Sequence, residues 1–230
     1  MKYDNIIEGV FISRPNRFIA EIEVEGKVQI CHVKNTGRCR ELLVKGATVF
    51  LQKSDNPARK TRYDLIAVYK GNTLINIDSQ APNKVFGEWL KKTEFFKNIT
   101  LIRPEYRYKN SRFDFYVEAD GERVFVEVKG VTLEEKGVLM FPDAPTERGV
   151  KHVRELIDAV ENGYRGYIFF VAQMEKCRYF TPNYITHPEF AAALKEAAAK
   201  NVGVFCVNCT VTKDELKIKE FVGVNLDEKK

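Results

Sequence analysis

Long apolar runs are missing from this chain of 230 residues. A membrane-spanning helix needs roughly 18 such residues in succession, and the longest run here, Tyr167 to Ala172, suits a buried strand instead. The start, MKYDNIIEGV, has no apolar stretch behind its basic residue, so no export signal is read there and the cytoplasm is the expected location, with no membrane partner. A disulfide framework is also unexpected. Five cysteines, at 31, 39, 177, 206 and 209, are an odd number in a chain too long to depend on cross-links. The one Cys-x-x-Cys, at 206–209, has no second ligand pair near it. In the strand-like run VGVFCVNCTV, alternation would send its two thiols to opposite faces, which favours a buried strand over zinc or redox use. Internal repeats, low-complexity segments and a helix-turn-helix pattern are all lacking, and the last absence makes base-specific reading weak.

Strong charge of one sign is lacking too: 37 basic residues face 32 acidic ones, for a net +5. Its distribution is uneven. Residues 1–82 carry 13 Lys/Arg against 9 Asp/Glu, and within them Lys34, Arg38, Arg40, Lys45, Lys53, Arg59, Lys60 and Arg62 are opposed only by Glu41 and Asp55. That local excess suits a polyanion, DNA or RNA, with Phe50 and Tyr63 as stacking residues.

What is present, 44% hydrophobic and 30% charged residues, describes a globular chain with a real core. Residues 1–82 read as short strands (VFIS, FIAEIEVEG, KVQICHV, ATVFLQK, DLIAVYKG, TLINID) with a short helix, RCRELLVKG, inserted among them. This pattern predicts a small closed barrel of the OB kind, a common nucleic-acid platform. After Gln80-Ala81-Pro82-Asn83 the pattern becomes mixed. Helices are predicted from about Asn83 to Phe96, Pro145 to Asn162 and Pro188 to Lys200, with a strand near Ile99 to Tyr106 and a loop through Met140-Phe141-Pro142. Alternating elements around apolar strands predict a mixed central sheet with helices on its faces, an α+β chain as a whole.

The chemistry is expected in the hairpin FDFYVEADGERVFVEVKG. Taking Asp120-Gly121 as a type I′ turn and pairing outward sets Asp114 opposite Glu127, with Lys129 on the same face and Arg112 opposite it. Carboxylates facing each other at roughly 4.5–5.5 Å are destabilising unless a proton or a cation is shared. A hard ion such as Mg²⁺ or Mn²⁺ binds through one or two carboxylates plus substrate phosphate, and beside an amine it could hydrolyse a phosphodiester. Alternatively, Asp114 and Glu127 lie on a solvent-facing side and Arg112 and Lys129 merely neutralise them; a register slip of one residue removes the pairing. Glu88, in VFGEWLKKTEFF, is either a third carboxylate for the same cation or an exposed helical glutamate.

The runs NTGRCRELL, PARKTRYDLI, DSQAPNKV, NSRFDFYV, EVKGVTL and FPDAPTERGVKHVRELI closely resemble the sugar fermentation stimulation protein A family, and the likeness continues through GYRGYIFFVAQ and RYFTPNYITHPEFAAAL. The resemblance implies an OB-like barrel (1–82) joined to an α/β domain similar to PD-(D/E)xK nucleases (83–230), with DNA binding and a link to sugar use. In that pattern the acid of the second core strand falls on Asp114, the Glu-x-Lys on Glu127 and Lys129, and the helical acid on Glu88. One departure is that Phe113, not proline, precedes Asp114. In FPDAPTERGVKHVREL, Asp143 or Thr146 is expected to cap a helix whose buried stripe is Val150, Val153, Ile157 and Val160. Arg148, Lys151 and His152 would lie near its phosphate-favouring start. Among three histidines, His152 suits a role near the cation, because His187 precedes a proline and His32 continues a strand. Two functions are expected to compete: a Mg²⁺- or Mn²⁺-dependent nuclease, and a non-catalytic DNA-binding regulator.

Overall fold

Period-two alternation organises the first part of the computed structural model, which describes residues 1–35 and 37–228. In β2 (Ile19–Val24) the residues Ala20, Ile22 and Val24 are buried while Glu21 and Glu23 face outward. The chain then reverses at Glu25 and Gly26, both at positive φ, into β3 (Lys27–Val33). With β1 (Ile6–Asn16), β4 (Thr48–Lys53), β5 (Tyr63–Lys70) and β6 (Thr73–Asn76), the strand order is β3-β2-β1-β4-β5-β6. A parallel pairing of β3 with β5 over Cys31–Val33 closes five of these strands into a barrel of the OB type, and β6 extends it from β5.

The helix expected over RCRELLVKG is not formed. Two separate turns exist there, one with the amides of Leu42 and Leu43 both returning to the carbonyl of Cys39 and one with the amide of Ala47 returning to the carbonyl of Val44. Cys39 itself is at positive φ. Upstream, the Arg14 guanidinium donates to the carbonyls of Arg17, Asn35, Gly37 and Arg38 and so pins the approach to this segment in a non-helical path.

Beyond α1 (Ala81–Leu90) the chain forms β7 (Ile99–Tyr108), β8 (Ser111–Ala119), β9 (Glu122–Val131), β10 (Leu133–Glu135), β11 (Val138–Phe141), α2 (Glu147–Glu161), β12 (Arg165–Ala172), β13 (Tyr179–Pro182), α3 (Pro188–Ala199), β14 (Gly203–Val211) and β15 (Leu216–Val224). The sheet is mixed, in the order β10-β11-β13-β15-β14-β12-β9-β8-β7, with β9, β12 and β14 parallel at its centre. The first helix ends at Leu90, short of the expected Phe96, and the expected loop at Met140 carries the small hairpin β10–β11. Three- and four-residue strands leave too few alternations to read.

Helix α1 packs with Val126, Val128 and Phe169 on one face, and α2 covers the other face near Phe125 and Ile168. Cys206 and Cys209 fall on opposite faces, and all five thiols are free. One apolar cluster runs without interruption from Ile22 and Leu65 in the barrel to Phe170 and Phe180 in the sheet domain. At the junction, the amide of Asn76 donates to the carbonyl of Gln173, and Lys34 binds Asp78, which is fully buried. No helix among the described residues is long and apolar enough to cross a membrane.

Candidate active site

The Asp120-Gly121 turn has both residues at positive φ, and its register runs from Ala119↔Glu122 to Phe115↔Val126. One step further, at Asp114 and Glu127, the backbone ladder gives way to side chains. Asp114 Oδ2 accepts the amide of Val128 at 2.7 Å, and its Oδ1 accepts from Nδ2 of Asn83, in the first turn of α1, at 2.6 Å. Glu127 follows Phe125 on the face covered by α2 and is 2% exposed. Its Oε1 receives Lys129 Nζ and His152 Nδ1, each at 2.5 Å. Its Oε2 is buried and has no hydrogen-bond partner among the described residues. Arg148 Nε donates to His152 Nε2 at 3.3 Å, so the imidazole proton sits on Nδ1 and is directed at Glu127.

These surroundings push the two acids apart. Burial and the neighbouring charge of Glu127 raise the Asp114 carboxyl to about 6, against the pull of the Val128 amide, Lys129 and Asn83. Glu127 is more deeply buried, which by itself would raise it. The His152 hydrogen bond and Lys129 outweigh that burial and hold it below the usual carboxylate range. The result is one carboxylate kept ionised beside another that titrates near neutrality.

The other expected site residues divide. Glu88 is exposed on α1, where its carboxylate meets the Met1 amino group at 2.7 Å; it does not join Asp114 and Glu127. The helical residue that does reach Asp114 is Asn83, whose only sequence signal is its place in DSQAPNKV. Arg112 turns away from Lys129 and pairs with Glu105 at 2.8 Å. Phe113 and Tyr116 both pack on Phe125, so strict alternation breaks between them and the face expected for Arg112 is lost. Lys34 and Arg59 are not free cations: Lys34 holds buried Asp78, and Arg59 holds Asp64, which also meets His32. Arg38, Arg40, Lys60 and Arg62 are exposed. At the start of α2, Thr146 is the cap, accepting the Gly149 amide, while Asp143 accepts the amide of Arg38 across the domain boundary. Lys151 lies 3.8 Å from Glu155. His187 is buried between Glu147 and Glu189, but its Nδ1 accepts the Thr146 amide, so its Nε2 carries the proton and faces the two glutamates as a donor.

Next to this constellation, a cleft of about 350 Å³ separates the barrel from the second domain, lined by Asn35 and Ser79 on one side and by Thr132, Pro142 and Thr146 on the other.

Comparison with known proteins agrees with this architecture part by part. Residues 12–77 match the SfsA N-terminal OB domain, and residues 80–215 match the sugar fermentation stimulation protein RE domain. Sugar fermentation stimulation protein homologs from Desulfitobacterium hafniense and Clostridium beijerinckii are 59% and 56% identical, over 99% and 98% of this chain and all of theirs. The solved structure of Pyrococcus furiosus SfsA in complex with Ca²⁺ superposes with a TM-score of 0.85 at 26% identity, covering 98% of both chains. Barrel, sheet and hairpin therefore recur together across the whole length, and the chain belongs to the sugar fermentation stimulation protein family.

Proposed function

We propose that the protein is a divalent-cation-dependent phosphodiesterase acting on nucleic acid, DNA in the first instance, with the barrel gripping the strand and the β8–β9 hairpin carrying the chemistry. The observation that carries this reading is the Oε2 atom of Glu127. A buried carboxylate oxygen without a donor costs free energy, of order 1–3 kcal/mol or more for a charged group, and a bound cation satisfies it. The donor set fits a hard ion, since Asp114 and Glu127 offer oxygens and no thiolate of the described residues lies among the partners of either acid. That the Pyrococcus furiosus relative was solved with Ca²⁺ supports the same class of ion.

When bound, such a cation supplies Lewis-acid activation of a phosphodiester and of a water. The chain's own residues prepare the site for it. Asn83 and the Val128 amide fix the Asp114 carboxylate from two sides. Lys129 and His152 both occupy Oε1 of Glu127, which leaves Oε2 as the oxygen on offer. Lys129, part-exposed, carries the positive charge suited to an anionic phosphate whose charge grows in the transition state. Arg38, Arg40, Lys60 and Arg62 are left to hold the strand along the barrel.

The test is cleavage of end-labelled DNA with Mn²⁺ or Mg²⁺. Asp114→Asn, Glu127→Gln and Lys129→Met are each expected to lower the rate by at least about 10²-fold, with the circular dichroism spectrum unchanged. Wild-type protein that binds DNA but cuts no DNA or RNA with either ion would leave the regulator reading in place.

A further inference from the structure

The cleft beside the acids has a chemical character of its own. Gly130 follows Lys129 on β9 and lines the cleft, and a Cβ there would come within 2.7 Å of both Pro82 Cγ and Gln173 Oε1, so Lys129 borders the cleft through the next residue along the chain. Gln173 is 1% exposed. Its nitrogen donates to Asn76 Oδ1 at 2.8 Å and to the carbonyl of Asp78 at 3.0 Å. A carbonyl only accepts, which fixes the amide's orientation. The Oε1 atom is thus the end turned toward Gly130 and the cleft, and it receives no hydrogen bond from the described residues. On the barrel side, Asn35 spends its Oδ1 on the amide of Gly37 at 2.7 Å, which leaves its Nδ2 as a donor. Met140, Phe141 and Pro142 supply apolar surface between them.

Asp143, the one carboxylate on the wall, repels a phosphate. Exposed Arg17 lines both the cleft and an adjoining groove, where exposed Arg38 and Arg40 join it, and it lies over the ring of half-exposed Phe18. An acceptor and a donor on facing walls, with Arg17 and Asp143 as the charged side chains of the lining, next to a basic groove, match a planar base joined to a phosphate backbone. The volume falls in the range of about 300–1,000 Å³ that small-molecule sites occupy. A paired base has its hydrogen-bonding edge covered and its neighbours stacked on it, so only an unpaired one enters.

We propose that this cleft receives an unpaired nucleobase of the strand bound at Asp114, Glu127 and Lys129, which makes the protein selective for single-stranded or frayed nucleic acid. The consequence for cutting rests on the phosphodiesterase reading above; the consequence for binding does not.

Ala144, half-buried in the cleft wall, provides the variant: Ala144→Trp fills the space. In EDTA, fluorescence anisotropy is expected to give an affinity of wild type for a single-stranded oligonucleotide about tenfold above that of Ala144→Trp, with duplex affinity equal in the two. Deoxy- and ribo-oligonucleotides run in parallel distinguish DNA from RNA as the source of the base. With Mn²⁺, hydrolysis of bis(p-nitrophenyl) phosphate, which has no base, is expected to be equal in both proteins, while the preference for single-stranded over duplex cleavage is lost in the variant. If wild type leaves both that ester and DNA intact, the phosphodiesterase reading fails and the anisotropy arm alone judges the cleft. A second measurement needs no variant: deoxyadenosine monophosphate is expected to shift the side-chain amide resonances of Gln173 and Asn35 in wild-type protein, and ribose 5-phosphate is not. Equal single-strand affinities in wild type and a folded Ala144→Trp, or the same shifts from the sugar phosphate, overturn the proposal.

Discussion

Asp114 is held in a position that costs stability. Its folded pKa, about 6, lies above the value of a free aspartate, so the folded state binds the proton more tightly than the unfolded chain does. Stability is therefore greatest below about pH 4 in this respect and falls as pH rises through the window up to about 6. Removing the charge removes that loss. Asp114→Asn is expected to melt about 2–4 °C above wild type at pH 8, the difference closing near pH 4, while cleavage is lost; scanning calorimetry at the two pH values checks it. A variant that melts below wild type at pH 8 contradicts the origin assigned to the shift. That Asp114 and Glu127 come together beside Lys129 was legible because the Asp-Gly turn fixes the count along two strands as far as Phe115 and Val126. Asn83 could not, since its contact with Asp114 spans 31 residues and an amide carries no charge pattern to betray it. Glu88 misled for a geometric reason: five residues from Asn83 at 100° each leave it about 140° round the helix, beside the Met1 amino group.

Helix α2 links the motif FPDAPTERGVKHVRELI to the hairpin. Thr146 caps its first turn, and His152, buried one and a half turns later, anchors Glu127. Thr146→Ala is expected to cost about 1 kcal/mol, seen as a fall in melting temperature of about 2–4 °C and as weaker Mn²⁺ binding in calorimetric titration, because loosening the turn releases His152 from Glu127. Unchanged Mn²⁺ affinity would separate the cap from the site. The start of α2 and its stripe of Val150, Val153 and Ile157 were legible, since a capping threonine and a 3.6-residue period are both local signals. The helix expected at Arg38 was not refuted by anything local. Arg14, more than twenty residues upstream, pins the approach to it through the carbonyls of Asn35, Gly37 and Arg38, and no window of the sequence contains that contact. The short strand β13 escaped for a related reason, as it is defined by partners remote in the chain, whereas β10 and β11 form a local hairpin whose strands are too short to show a pattern.

Over the whole molecule, the basic residues sort into two classes that composition alone merges. Arg38 and Arg40 are exposed at the groove beside the cleft, whereas Lys34 spends its charge on Asp78. Arg38→Ala and Arg40→Ala are each expected to reduce the slope of log affinity against log salt by about one, with the melting temperature unchanged. Lys34→Ala should do the opposite, lowering the melting temperature because an unpaired buried aspartate remains, and leaving the slope alone. Anisotropy titrations from low to moderate salt distinguish them, and equal slopes for all three variants would remove the assignment. The barrel was visible in advance as spaced strands, but its closure through β3 and β5 depends on residues some thirty apart that carry no mark of one another.

The apolar cluster shared by Ile22, Leu65, Phe170 and Phe180 has a consequence for inheritance. Two units that solidify around common material cannot drift independently: a side chain that shrinks in the barrel wall must be compensated across the seam, or the neighbouring hairpin loses its footing. The barrel and the sheet domain are thus bound to travel through evolution as a single object.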